Sequence, residues 1–243
     1  MQHTQKKIAM ENLLYEGKAK KIFSTDNPNI VRVAYKNDTT AFNGEKFEKL
    51  EGKGHLNNEI SSYFFSYLKE HGIDSHFVEK ISDTEQLVQR VEIIPLEVVT
   101  RNVAAGSLSK RIGWEEGRKM PGPVVEFYYK NDDLGDPMLA DVHIQTLGLA
   151  TSEELEVLRN KALKINNYLL KLLESRGLLL VDFKLEFGRD SSGRLLLADE
   201  ISPDTCRFWD SETNEKLDKD RFRRDLGGVT EAYAEVLRRL NSN

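Results

Sequence analysis

The 243-residue sequence predicts an α+β fold on three observations. Short alternating segments broken by turn residues dominate the first part of the chain, and an amphipathic helix with a capping box begins at Thr151. The stretch LVDFKLEFG, Leu180 to Gly188, alternates apolar and charged residues with the period of a strand. In chain order, LLYEGKAKKIFST and NIVRVAYKN read as a meander or hairpin. Leu56, Ile60, Tyr63, Phe64, Tyr67 and Leu68 recur at helical spacing, and Gly72 stands where a C-terminal cap belongs. HFVEKIS and QLVQRVEII resume the strands. Near Pro95 the character changes, dividing a strand-rich N-terminal part, residues 1–92, from a mixed C-terminal part, residues 93–243. There LEVVTRNVA is a strand, SLSKRIGW a short helix, and Gly117 to Gly148 a loop-rich section. Thr151 and Glu154 cap a helix whose core face is Leu155, Leu158, Ala162, Ile165, Leu169 and Leu172, and Gly177 ends it. LLLVDFKLEFG and RLLLADEIS, joined by RDSSG, have hairpin spacing, and a last helix carries Val229, Tyr233, Val236, Leu237 and Leu240.

Composition narrows the function. A hydrophobic fraction of 39% and a charged fraction of 31% are ordinary for a globular protein. A formal net charge of -5 argues against a nucleic-acid polymer as partner, while local basic clusters leave small anions open. The single cysteine, Cys206, excludes an internal disulfide and a thiolate-rich metal site, and fits a reducing cytoplasm. No apolar run approaches the roughly 18 residues of a membrane span, so no membrane association is expected.

The chemistry concentrates in LVDFKLEFG. Read with period two, Val181, Phe183, Leu185 and Phe187 face a core, and Asp182, Lys184 and Glu186 face the other way. A hairpin turning at about residues 189–193 sets Glu186 opposite an early residue of RLLLADE and Asp182 opposite one near its end, beside Asp199 and Glu200. Carboxylates gathered at ~4 Å repel by roughly 4 kcal/mol per pair at an effective dielectric of about 20. A divalent cation resolves this, and Mg²⁺ characteristically binds one or two carboxylates together with substrate phosphates. The alternative is a solvated sheet face with cross-strand ion pairs; the apolar flanks LLLV and RLLLA argue against it, because they belong to central strands.

Three further stretches fit anions. YEGKAKKIF places Gly17, Lys18, Lys20 and Lys21 at a tight turn, although it is neither a Walker A nor a GxGxxG motif and, taken alone, reads more readily as an exposed basic hairpin than as a phosphate site. In TRNVAAGSLSKR, Arg101 closes a strand and Ser107 opens a helix after Gly106, which juxtaposes a guanidinium, a hydroxyl and free helix N–H groups; Ser107 as a plain N-cap is the alternative. ISPDTCRFWD adds Asp204 and Arg207 just beyond the carboxylates. His143 and Cys206 read as structural, and the RFRR run, Arg221 to Arg224, as a solvated face or an aid to binding an acidic substrate.

Together, YEGKAKKIF, KNDTTAFNG, TRNVAAGSLSKR, KNDDLGDPM, LVDFKLEFG, ADEISPDTCRFWD and DKDRFRRDLGG span nearly the whole chain, which in their order and spacing resembles the SAICAR synthetase family. The resemblance implies a two-domain α+β fold related to ATP-grasp and kinase-like architectures, with the nucleotide between the domains. It implies a ligase of purine biosynthesis that joins L-aspartate to carboxyaminoimidazole ribonucleotide (CAIR) with ATP and Mg²⁺, through an acyl phosphate, as a cytoplasmic homodimer. By motif, Gly17, Lys18, Lys20 and Lys130 then meet ATP, and Glu186 and Asp199 bind the metal. Asp182, Lys184 and Glu186 are the catalytic group, and Arg101, Ser107, Asp204 and Arg207 hold the ribonucleotide. DPMLADVHI departs from a common family form, DPMINEDHI, at Ala140 and Val142, and Cys206 stands where serine is frequent. A small-molecule kinase and a regulatory nucleotide-binding module are the competing readings.

Overall fold

The structure is a computed structural model that describes residues 11–242. Strands β1 (Leu13–Glu16), β2 (Lys20–Ser24) and β3 (Ile30–Tyr35) form the expected antiparallel meander. β4 (Asp38–Ala41) and β5 (Lys46–Lys49) make a side hairpin, followed by α1 (Lys53–Glu70), β6 (Phe77–Lys80) and β7 (Glu85–Gln89). The first sheet runs β1-β2-β3-β7-β6. Its alternating residues Val31, Val33, Tyr35 and Val88 build a small core with Ile22. Helix α1 ends as its Gly72 signal predicts, and its apolar residues Ile60, Phe64, Phe65 and Leu68 belong to a second, larger core shared with the rest of the chain.

That core lies under the second sheet. Its elements are β8 (Glu92–Ile93), β9 (Leu96–Val103), α2 (Gly106–Ile112), β10 (Lys119–Tyr129), α3 (Asp141–Thr146), α4 (Ser152–Ser175), β11 (Leu178–Arg189), β12 (Leu195–Ala198), β13 (Cys206–Asp210), α5 (Asp220–Arg223) and α6 (Val229–Leu240). The path is β10-β9-β11-β12, with β8 and β13 also pairing to β11. Strand β11 is therefore the axis of the sheet: β9 pairs with residues 182–185 and β8 with 188–189 on one side, β13 with 178–183 and β12 with 186–189 on the other. Helix α4 packs across β11 and β9 with Leu155, Leu158, Ala162, Ile165 and Leu169 buried, and α6 packs on α1. Burying one such leucine contributes about 1.5–3 kcal/mol.

Three local expectations are corrected. The loop-rich section contains β10, an eleven-residue strand whose Pro121, Gly122 and Pro123 interrupt the pairing with β9 between Lys119 and Val124. The hairpin register differs too: Glu186 pairs with Ala198 at the end of β12, and Asp182 lies between Arg101 and Arg207 because β12 stops before reaching it. A bulge between Leu180 and Asp182 resets the alternation, so Val181 packs with Val103, Ala105 and Trp209 while Leu180 joins Phe183, Leu185 and Phe187 in the main core.

The capping box of α4 forms as expected. The Glu154 backbone N–H donates to Thr151 Oγ1 at 3.1 Å, and the Thr151 N–H donates to Glu154 Oε1 at 3.1 Å. Replacing Thr151 by Ala is expected to lower stability by about 1 kcal/mol. The check is a chemical-denaturation midpoint that falls while the slope stays constant; an unmoved midpoint would show that the box contributes nothing.

Candidate active site

One face of β11 gathers the charged side chains, and the strands beside it supply their partners. At Asp182 two guanidinium groups converge from opposite neighbours: Arg101 Nη1 of β9 donates to Asp182 Oδ2 at 3.0 Å, and Arg207 Nη1 of β13 donates to the same oxygen at 3.0 Å. Arg101 also donates to Glu126 Oε1 at 3.2 Å, to Ser107 Oγ at 3.2 Å and to the Tyr128 hydroxyl at 3.1 Å, which ties β10 and the start of α2 to the same point. Arg207 Nε donates to Asp220 Oδ2 at 2.8 Å. Gly106 has φ +54°, and a Cβ there would lie 2.6 Å from Arg207 Nη2, so glycine is needed both for the turn and for the guanidinium to lie against it. Arg101, Ser107, Tyr128, Asp182 and Arg207 line a cavity of about 340 Å³, together with Glu97, Lys184, Asp204, Thr205, Lys219 and Arg223.

Farther along β11, two carboxyls face each other. Glu186 is 2% exposed and accepts from Lys184 Nζ at 3.1 Å and from Lys130, the residue after β10. Asp199, the first residue after β12, accepts from Lys20 of β2, with Lys184 3.8 Å away, and Lys20 also lies 3.1 Å from Glu200. Burial and the facing Asp199 push the Glu186 carboxyl above its usual range. Burial opposes ionisation of Asp199 as well, yet Lys20 and Lys184 outweigh it and hold that carboxyl well below its usual range. The ammonium of Lys184 is itself disfavoured by burial, and Glu186, Asp199 and Glu97 more than restore its charge. A pair of adjacent carboxyls with oxygen donors only, ringed by lysines, is a donor set suited to a hard divalent cation shared with phosphate oxygens.

The backbone of Asp199 makes this possible. It sits at φ +54°, a left-handed conformation that turns its carboxylate back toward Glu186, and His76 Nε2 lies 3.1 Å from the Asp199 carbonyl oxygen. Burial, with the nearby Lys20, lowers His76 to about 4, so the ring is neutral at pH 7 and its Nε2–H donates to that carbonyl.

The expected residues thus fall into two groups on one strip. Arg101, Ser107, Asp182, Asp204 and Arg207 surround the cavity, Lys20, Lys130, Glu186 and Asp199 form the second cluster, and Lys184 belongs to both. Gly17 makes the β1–β2 turn, donating its N–H to the Lys20 carbonyl at 2.8 Å. Lys18 is half exposed and pairs with Asp132 at 3.2 Å, outside the second cluster. Sequence reasoning missed Glu97, Tyr128 and Lys219. Of the RFRR run, Arg223 lines the cavity, while Arg221 pairs with Glu215 and Arg224 with Glu116. Cys206 is buried, which pushes its thiol up and leaves it unreactive. His143 lies exposed on α3, Ala140 caps that helix without a side-chain bond, and Val142 is exposed. Among the described residues, the one His, Asp and Glu group with ligand atoms within 4.8 Å is His55, Glu59 and Asp83, on α1 and the β6–β7 turn, where Glu59 is paired with Lys80.

A family model described as SAICAR synthetase matches residues 13–240. The chain belongs to the SAICAR synthetase family. A phosphoribosylaminoimidazole-succinocarboxamide synthase of Brevibacillus brevis is 61% identical over 230 residues, which cover 95% of this chain and 96% of that protein. Among solved SAICAR synthetases, the enzyme of Ehrlichia chaffeensis superposes with a TM-score of 0.93 at 50% identity, covering 96% of this chain and 99% of that one. A second, in complex with ADP, gives 0.91 at 48% identity over 94% of this chain and 97% of that one. As the family resemblance implied, the fold is α+β. Among the described residues no helix is long and apolar enough to cross a membrane.

Lys219 yields a test of the SAICAR synthetase cavity. Burial lowers it to about 8, against the opposing pull of Asp204 and with Arg223 and Lys53 acting in the same direction as burial. Its ammonium is therefore present below about pH 8 and is lost as pH rises through that value. Phosphate monoesters are already dianionic above pH 7. Affinity for ribose 5-phosphate, measured by calorimetry, is expected to fall between pH 7 and pH 9, and Lys219→Met should abolish that step. Equal slopes in both proteins would remove Lys219 from anion binding.

Proposed function

We propose that this cleft catalyses ATP-dependent ligation of L-aspartate to the carboxylate of CAIR, forming SAICAR, ADP and phosphate in purine biosynthesis. The observation that carries the reading is the strip on β11, where a cavity lined by guanidinium groups at Asp182 and a lysine-ringed carboxyl pair at Glu186 are bridged by Lys184. Four residue steps along the strand take Asp182 to Glu186, about 13 Å at ~3.3 Å per step, a span that admits a nucleotide phosphate on one side and a substrate acid on the other. The ADP complex of the related synthetase supports nucleotide binding.

A carboxylate resists amine attack because its leaving group is oxide. Transfer of the γ-phosphoryl group to a carboxylate oxygen gives an acyl phosphate; the aspartate amine then forms the amide bond, the C–O bond to phosphate breaks and a proton is released. Positioning and charge stabilisation carry such a transfer. In this reading Arg101, Ser107 and Arg207 hold the ribose phosphate, while Asp182 and Lys184 face the imidazole and its acid. Lys20, Lys130 and Lys18, with the Gly17 turn, hold the ATP phosphates. Glu186 and Asp199 fit Mg²⁺, which when bound supplies charge neutralisation between phosphates and the acid. Lys20 comes from residues 1–92 and the carboxyl pair from residues 93–243, consistent with a nucleotide seated between two domains. The single cysteine supports a reducing cytoplasm as the setting. Assembly as a homodimer is proposed on the family resemblance alone.

Incubation with ATP, CAIR and aspartate is expected to release ADP only when aspartate is present, with a new amide in the product. ADP release without aspartate would favour a kinase, and binding without ADP release a regulatory module. Glu186→Gln and Asp199→Asn should each cut turnover on the order of 10²–10³-fold while circular dichroism is unchanged. Full activity in both variants would defeat the carboxyl-pair assignment.

A further inference from the structure

Lys53 opens α1 with a side chain that is 0% exposed. That placement carries two electrostatic costs. An ammonium group leaves water, and a positive charge sits at the helix end whose free N–H groups favour anions. Nothing local offsets them: the first turn of α1 has no acidic residue, and its N-cap, Gly52, provides no side-chain bond. The compensation comes from the loop between β12 and β13, where Asp204 Oδ2 accepts from Lys53 Nζ.

Both oxygens of Asp204 are engaged inward. Its Oδ1 accepts from the Tyr233 hydroxyl of α6 at 2.6 Å, and its side chain is 6% exposed. The Asp204 N–H donates to Ser202 Oγ at 3.1 Å, and the Ser202 hydroxyl donates to Glu200, the partner of Lys20. Helix α1 grips the same loop one turn pair later, where Ser61 Oγ accepts the Ile201 N–H at 3.2 Å; positions 53, 57 and 61 form one stripe of the helix. Asn57, between the two grips, is buried at 1% exposure. On the cavity side of the loop stands Lys219, which has no carboxylate within 4.0 Å among the described residues.

We propose that Lys53 is a positioning residue that, with Tyr233, holds both oxygens of the Asp204 carboxylate at the cavity wall, so that Lys219 forms no ion pair with it and remains available to the anionic substrate. Asp204 then serves the site by being held back, and the expectation that it touches the ribonucleotide gives way to this one. The inference rests on the ligase reading only in naming CAIR as the anion.

The test measures CAIR binding by calorimetry, which needs no turnover. Lys53→Met leaves Asp204 free to swing onto Lys219, and CAIR affinity is expected to fall about tenfold, the loss of one charge-assisted bond, while affinity for an ATP analogue stays within about twofold. Lys53→Met combined with Asp204→Asn should recover CAIR affinity to within about threefold of wild type, because a neutral amide cannot neutralise Lys219. A role in stability alone would lower the melting temperature with CAIR affinity unmoved; direct contact of Asp204 with CAIR would make the double variant worse than the single. Either result overturns the proposal. If Lys53→Met does not fold, Tyr233→Phe, which releases one bond to the same carboxylate, must shift CAIR affinity in the same direction, and unchanged affinity would overturn the idea equally. Wild-type protein that binds no CAIR at all would instead refute the ligase reading.

Discussion

Pairing of charges buried on one strand is the constraint on which this structure depends. Asp182, Lys184 and Glu186 lie on β11 with neighbours on both sides, out of reach of most solvent, so each requires a partner fixed in place. The partners come from every direction: Arg101 from β9, Arg207 from β13, Lys130 from the end of β10 and Lys20 from the other sheet. Removing one partner of such a buried pair leaves an uncompensated charge worth about 3–5 kcal/mol. The same pairs that hold the second sheet together also join it to the first, since Lys20 meets Asp199 and Glu200.

Two departures from regular strand geometry put the charges where they are useful. The bulge between Leu180 and Asp182 turns Asp182 to the cavity face while its apolar neighbours remain in the core. The left-handed backbone of Asp199 ends β12 and aims a carboxyl at Glu186, a conformation that costs about 1–2 kcal/mol for a residue other than glycine. His76 holds the carbonyl of that residue, and Lys20 and Lys184 hold its carboxylate. The gap between β12 and β13 leaves room for the loop of Asp204, while the Lys184 N–H donates to the Thr205 carbonyl at 2.8 Å and keeps the loop against the strip.

Legibility in the sequence followed locality. The capping box at Thr151, the helix from Lys53 and the hairpin of β11 with β12 were readable because their signals lie within a few residues of one another. The period-two charge pattern identified Asp182, Lys184 and Glu186 as a strip. It could not show the register, since the length of β12 and the position of the bulge depend on packing against β13. β10 was hidden by Pro121, Gly122 and Pro123, although Val125, Phe127 and Tyr129 alternate with Glu126, Tyr128 and Lys130 just after them, and with it went Tyr128. Lys219 and Glu97 carried no local signal at all; only the folding of distant segments brings them to one cavity. Family resemblance, and not spacing, joined Lys20 and Lys130 to a nucleotide.

The most direct measurement is a crystal structure of this protein with Mn²⁺ and a non-hydrolysable ATP analogue, using anomalous scattering to locate the ion. The expected result is a peak bonded to Glu186 and Asp199, with Lys20 and Lys130 moved from those carboxyls onto phosphate oxygens. An ion bound elsewhere, at His55, Glu59 and Asp83 for example, with the lysines still on Glu186 and Asp199, would contradict it.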